Sequence, residues 1–195
     1  MNRQEKISAL LGDILIPMLG FFFWHWNLYF ISLFFLFDQL AREVSQVVRL
    51  VKIKNEFSPS IKAILLHGCL FIALILSIHV FNFLLQPSIQ FTKEMNSFFW
   101  YKVMGIPQGL ILIPLLVVME RMKFNMHMKM FTIQAHRLHW KGHTIQIASY
   151  LLLFIVLCLF QMLFHMGQTA SFLCLISGFA LLTFTTEKLS TFFPN

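Results

Sequence analysis

A chain with only eight acidic residues and eight histidines among 195 confines its chemistry to few places. Asp13 stands twelve residues before His25 and Asp38 thirteen after it. If both flanks are helical and the chain turns at Trp24-His25-Trp26-Asn27, each carboxylate lies roughly 18–20 Å below the turn. A tight hairpin therefore sets them at similar depth. On the second flank Asp38, Arg42, Ser45 and Arg49 recur at spacings of 4, 7 and 11, which return to one helix face. In apolar surroundings such groups must pair and face inward. Two arrangements satisfy that demand. One is structural: an Asp38–Arg42 ion pair, with Asp13 bonded across the hairpin. The other is functional: a polar cavity open to the cytoplasm, lined by Asp13, Asp38, Arg42, Glu43, His67 and Glu120.

A second constellation is His136, His139 and His143. Spacings of 3 and 7 place them within about a 60° arc of a helix. Three imidazoles on one face could bind Zn, Fe or Cu. Yet Arg137, Trp140 and Lys141 are interleaved, as in an amphipathic helix resting on anionic headgroups, and that interfacial reading is the expectation. Met119, Met122, Met126 and Met130, with His127 and Met128 beside them, offer soft ligands for Cu(I). The same spacing makes an ordinary packing stripe, which is the reading adopted. Catalytic nucleophiles have no support: Cys69 is two residues from His67, and i and i+2 face apart on a helix. Walker, Rossmann, EF-hand, HExxH and CxxC patterns are absent, and no cofactor is expected.

The elements that must position these residues follow from composition. The chain is 58% hydrophobic and 12% charged, with a mean hydropathy of +0.74. That is too apolar for one soluble core, so the bilayer must solvate much of it. Six crossings are predicted, over about 6–23, 27–54, 60–86, 100–120, 143–165 and 169–188, as a single all-α domain of residues 1–195. The second, at about 42 Å, exceeds the hydrocarbon thickness and should project into the cytoplasm. Phe57-Ser58-Pro59-Ser60 breaks it, with Ser58 or Ser60 free to cap the third helix. Residues 88–98 form the only sizeable outer loop, and His165-Met166-Gly167-Gln168 a short outer turn. Pro17 and Pro114 lie inside apolar runs and free the carbonyls of Asp13 and Leu110.

On that map Arg3, Lys6, Arg42, Arg49, Lys52, Lys54, Lys62, Arg121, Lys123, Lys129, Arg137, Lys141 and Lys188 fall towards one face. Only Lys93 and Lys102 fall towards the other. Basic loops stay in the cytoplasm, so both termini are placed inside. The net charge of +7 has the same origin, and no nucleic-acid partner is expected. The first apolar stretch carries Asp13 and Pro17 and lacks a small-residue cleavage site, so it should remain as the first helix. Cys69, Cys158 and Cys174 lie in apolar runs and should be reduced thiols.

The first hairpin also carries a resemblance. Ile16-Pro17-Met18-Leu19-Gly20, Phe23-Trp24-His25-Trp26, Phe35-Leu36-Phe37-Asp38-Gln39 and Val48-Arg49-Leu50-Val51-Lys52 together resemble a family of uncharacterised bacterial polytopic membrane proteins. In that family a Pro–Gly helix leads to a Trp turn, an aromatic helix with a Glu-Asn pair, and a basic end. Asp38-Gln39 stands here in place of Glu-Asn. The similarity spans the first quarter of the chain and implies the hairpin and a membrane location, with no activity to transfer.

The functional expectation is therefore a multi-pass protein of the cytoplasmic (inner) membrane. Its leading role is a small transport, channel or membrane-complex subunit with a polar cavity open to the cytoplasm. Its partners would be the lipid bilayer and other membrane subunits or copies of itself. The alternatives are a membrane-embedded enzyme, metal-dependent or not, acting on a lipid or isoprenoid, and a structural or partner-binding protein.

Overall fold

A computed structural model describes residues 14–52, 58–100 and 133–192, together with Pro114 and Val118. These residues are all-α, in six helices with no strand among them. The helices are α1 (Ile16–Phe23), α2 (Leu28–Lys52), α3 (Ile61–Leu85), α4 (Phe91–Phe99), α5 (Ile133–Phe164) and α6 (Gln168–Phe192). Asp13, Glu120 and the methionine stripe lie outside the described residues. So does the predicted 100–120 helix, except for Pro114 and Val118, which are helical and exposed.

Punctuating residues set most of the helix ends. Pro17 sits in the first turn of α1, where its missing N–H costs little. Gly20 is buried because the Trp26 ring lies against it. A Cβ there would overlap Trp26 Cε3 and stand 2.5 and 2.7 Å from Cδ2 and Cζ3. Trp26 N also donates to Gly20 O at 2.9 Å, folding residues 24–27 back on α1. His25 takes a φ of 52° in that turn. Asn27 then caps α2: its Oδ1 accepts from Phe30 N at 2.7 Å. Ser60, of the two candidate caps, starts α3 by accepting from Ala63 N at 3.2 Å. His165, with φ 45°, turns α5 back into α6.

Two predicted boundaries differ. Residues 88–98, expected as an outer loop, contain the nine-residue helix α4. It is a short amphipathic helix, placing Phe91, Met95 and Phe98 against Tyr29, Phe30, Leu33 and Phe34 of α2. Asn27 Nδ2 pins it by donating to Glu94 Oε2 at 2.7 Å. Helix α5 is already helical at Ile133, ten residues before the predicted 143, so the backbone of His136 and His139 is helical. The polar and charged residues scattered through 134–142 conceal that extension from a hydropathy reading.

Helix α5 packs along both α3 and α6. The core joins Leu28 and Ile31 of α2, Leu74, Ile78 and Phe81 of α3, Ile147, Tyr150, Phe154 and Leu157 of α5, and Phe172, Leu175, Ile176 and Phe179 of α6. Glu43 meets His67 near the start of α3, while Ser32 meets Asn82 near its end, so α2 and α3 run antiparallel. His67 contacts Thr144, and Ser77 O contacts Cys158 Sγ, so α3 and α5 run parallel.

Among the described residues, two helix segments are long and apolar enough to cross a membrane, Ile61–Leu85 and Trp140–Phe164. Only 22% and 28% of their most apolar windows are buried. Helix α2 fails the same test because it carries Asp38, Arg42, Glu43, Arg49 and Lys52. The second half of α2, from Gln39 on, is nonetheless inverted relative to a soluble helix. Gln39, Gln46 and Arg49 are buried, while Leu40, Val44, Val47, Val48 and Val51 are exposed, Val51 by 70%. At about 100° per residue, those five apolar side chains fall in one sector roughly opposite the buried polar ones.

Candidate functional site

The buried polar side of α2 leads to one cluster. Glu43 projects between α3 and α5 and takes an imidazole on each carboxylate oxygen. His67 Nε2 lies 2.8 Å from Oε2, and His143 Nε2 lies 2.8 Å from Oε1. All three side chains are withdrawn from solvent, at 14% exposure for Glu43, 7% for His67 and 4% for His143. The His67 ring rests on Trp140, with centroids 4.7 Å apart, and 5.3 Å from the His143 ring.

A second layer orients His67. Its Nδ1 lies 3.0 Å from Thr144 Oγ1, and that hydroxyl donates to the carbonyl oxygen of Trp140 at 3.1 Å. A hydroxyl has one proton. While it holds that bond, Thr144 Oγ1 accepts from His67 Nδ1–H, and a neutral ring then turns an Nε2 lone pair towards Glu43 Oε2, a contact that a proton or a metal ion satisfies. With the hydroxyl turned to Nδ1 instead, His67 Nε2–H donates to Oε2 as His143 Nε2–H does to Oε1.

The cluster is also the one group of three acidic, cysteine or histidine side chains among the described residues whose ligand atoms converge, all within 4.8 Å of one another. It could hold a metal through two imidazole nitrogens and a carboxylate.

The structure sorts the sequence candidates. Glu43 and His67, both assigned to the polar cavity, come together, and His143 joins them from the histidine triplet. Asp38 and Arg42 form the expected i,i+4 ion pair at 2.8 Å. That pair stands about 100–140° around α2 from Glu43. Asp13 and Glu120, and with them the cross-hairpin contact of Asp13, lie outside the described residues. His143 is buried against α2 and α3 and does not face outward. Thr144 and Trp140 complete the site as orienting groups, a role the sequence reading did not assign them. Cys69, Cys158 and Cys174 are free thiols, and none takes part. A shallow depression beside Gln90, Lys93, Asn96 and Trp100 lies by α4 and does not reach this cluster.

No family model, no curated protein and no solved structure matches the chain.

Proposed function

We propose that this chain is a multi-pass protein of the cytoplasmic membrane, with both termini inside, that serves as a small transport, channel or membrane-complex subunit. Its working part is the Glu43–His67–His143 junction, which handles a cation. The observation that carries this reading is a carboxylate bridging two imidazoles inside a bundle whose exposed faces are apolar. A charged group so placed is costly and marks ion or proton pathways by default. The inverted second half of α2, polar inward and valine-rich outward, supports lipid as the surrounding medium. The basic asymmetry of thirteen to two supports six crossings and the inward orientation. His67 is six residues into α3 and His143 three past Trp140, about 9 and 5 Å along their axes. Both positions are near Lys62 and Lys141, which supports a junction towards the basic end, cytoplasmic on this reading.

The test is flux. The purified protein is reconstituted into liposomes loaded with a proton- or metal-responsive dye, and cation gradients are applied. Flux that is lost in Glu43→Gln supports the reading. Liposomes no leakier than empty ones to protons and to divalent metals overturn the transport role. A cysteine at Ser97 tests orientation: labelling only after permeabilisation would reverse it.

One observation favours a second reading. Two histidines and one carboxylate, leaving a fourth position for water or substrate, is a donor set used by catalytic zinc. A membrane-embedded enzyme acting on a lipid or isoprenoid would use it that way.

A further inference from the structure

We infer that Glu43, His67 and His143 bind a divalent first-row transition ion, for which Zn2+ is the reference probe. The inference deepens the reading of this junction as the working part of the protein, but it does not depend on transport. Its first support is the donor set. Two imidazole nitrogens and one carboxylate suit a borderline ion; hard Mg2+ and Ca2+ prefer all-oxygen shells. Its second is convergence: Glu43 Oε1 and Oε2 each already face an Nε2 at 2.8 Å. A tetrahedral ion with bonds of about 2.0–2.1 Å spaces its donors about 3.3 Å apart. The carboxylate would therefore withdraw by about half an ångström from each ring, and the two ring nitrogens, within 4.8 Å of each other, would close towards the same spacing by side-chain rotation.

The third support is independent of the cluster's composition. Metal-bound histidines donate their other ring N–H to an oriented acceptor, which fixes the tautomer. Thr144 is placed to do this for His67. With its own proton on Trp140 O, it accepts from His67 Nδ1–H and turns the Nε2 lone pair towards Glu43, the tautomer a metal ligand needs. The Trp140 ring lies tilted against His67, with centroids 4.7 Å apart. In that tautomer a divalent ion engages His67, Glu43 and His143 together.

The experiment uses the full chain in mild detergent, stripped with a chelator and dialysed against Zn2+, with bound metal measured by elemental analysis. The expected result is about one equivalent of Zn2+ per chain, undisturbed by excess Mg2+ or Ca2+. His67→Gln and His143→Gln should each abolish it. Thr144→Val should keep the stoichiometry but weaken affinity roughly 10–100-fold, with Thr144→Ser restoring it. Co2+ substitution should give the visible d–d bands of a four-coordinate nitrogen–oxygen site, a signature that a structural role for Thr144 would not produce. Wild-type protein that binds no Zn2+ overturns the inference and leaves a proton at the contact. So does binding that survives both histidine variants, or that Ca2+ displaces. Unchanged affinity in Thr144→Val overturns the tautomer argument. Because wild-type stoichiometry decides the main point, a variant that fails to fold does not shelter it. Zn2+ binding without flux would sink the transport role and keep the site; flux without Zn2+ binding would do the reverse.

Discussion

Replacing Glu43 by glutamine and by leucine separates what the junction does for stability from what it does for cations. Glutamine is nearly isosteric and has one acceptor and one donor group where glutamate has two acceptors. With Thr144 accepting from His67 Nδ1–H, the lone pair is on Nε2 and the introduced amide N–H can donate to it. His143, protonated at Nε2, can donate to the amide oxygen. Every polar atom of the junction is then satisfied with no cation present. Glu43→Gln is expected to unfold within about 1 kcal/mol of wild type. Leucine leaves an imidazole acceptor on His67 and a donor on His143 buried without partners. Each costs about 1–3 kcal/mol, so Glu43→Leu should lose about 2–6 kcal/mol. Against a total stability of about 5–15 kcal/mol that loss is large. The leucine recovers little, because lipid or detergent chains are as apolar as a helix interface. The assay is thermal and denaturant unfolding in one detergent, followed by tryptophan fluorescence, with Trp140 against His67 as the local reporter. Equal losses in both variants would refute the proton accounting, since they would mean that charge pairing holds the junction. A Glu43→Leu protein as stable as wild type would refute the claim that the imidazoles depend on this carboxylate.

Three further outcomes are expected. Gly20→Ala should destabilise, because its Cβ overlaps the Trp26 ring: overpacking costs about 1–3 kcal/mol, against about 1 kcal/mol at most gained in helix propensity. A variant that melts higher than wild type would show that the ring moves aside freely. Asn27→Asp should keep the cap on Phe30 N but set a carboxylate against Glu94, so it should loosen α4 while α2 stays intact. Hydrogen exchange over 91–99 measures this, and unchanged protection there contradicts the docking described. Cys69 and Cys174 are exposed on the isolated chain yet lie in apolar helices. A charged maleimide should leave them unmodified in intact vesicles and react after SDS; fast reaction in intact vesicles would count against lipid contact.

How much of this was legible depends on which residues carried the signal. Helix ends marked by breakers were readable: Trp24–Asn27, Ser60 and His165–Gly167 all punctuate where expected. Helix α4 was not, because nine residues rich in polar side chains look like a loop in a hydropathy window. The start of α5 was hidden for the same reason. The Glu43–His67 contact was readable in principle. The two residues are symmetric about position 55, which lies in sequence between Lys52 of α2 and Ile61 of α3, and this is the same hairpin arithmetic that paired Asp13 with Asp38. The third member had no such marker. His143 is 100 residues from Glu43, on a helix parallel to α3 that no short turn registers against it. Arg137, Trp140 and Lys141, interleaved with its histidine triplet, pointed instead to a headgroup interface. The functional pair Thr144–Trp140 was equally opaque, since a threonine following a histidine carries no signal until the partner ring is in place.

Stability alone gives no physical reason for the junction. Helices α3 and α5 already pack along their lengths through Leu74, Ile78, Phe81, Ile147, Phe154 and Leu157, and α2 joins the same core through Leu28 and Ile31. Exchanging a buried ionic cluster for apolar side chains of similar volume is often neutral or stabilising, while removing one partner is damaging. An arrangement of that kind is fragile for what it contributes to folding. Its geometry has a different property: two imidazole nitrogens converge on the two oxygens of one buried carboxylate, each at 2.8 Å. Such a donor set holds a proton and suits a metal ion. On the proposed reading, that is the elementary requirement for moving or using a cation. The relative stability of Glu43→Gln with and without Zn2+ measures that requirement directly. Wild type should gain thermal stability on adding Zn2+, and Glu43→Gln, already satisfied and lacking the anionic ligand, should gain none.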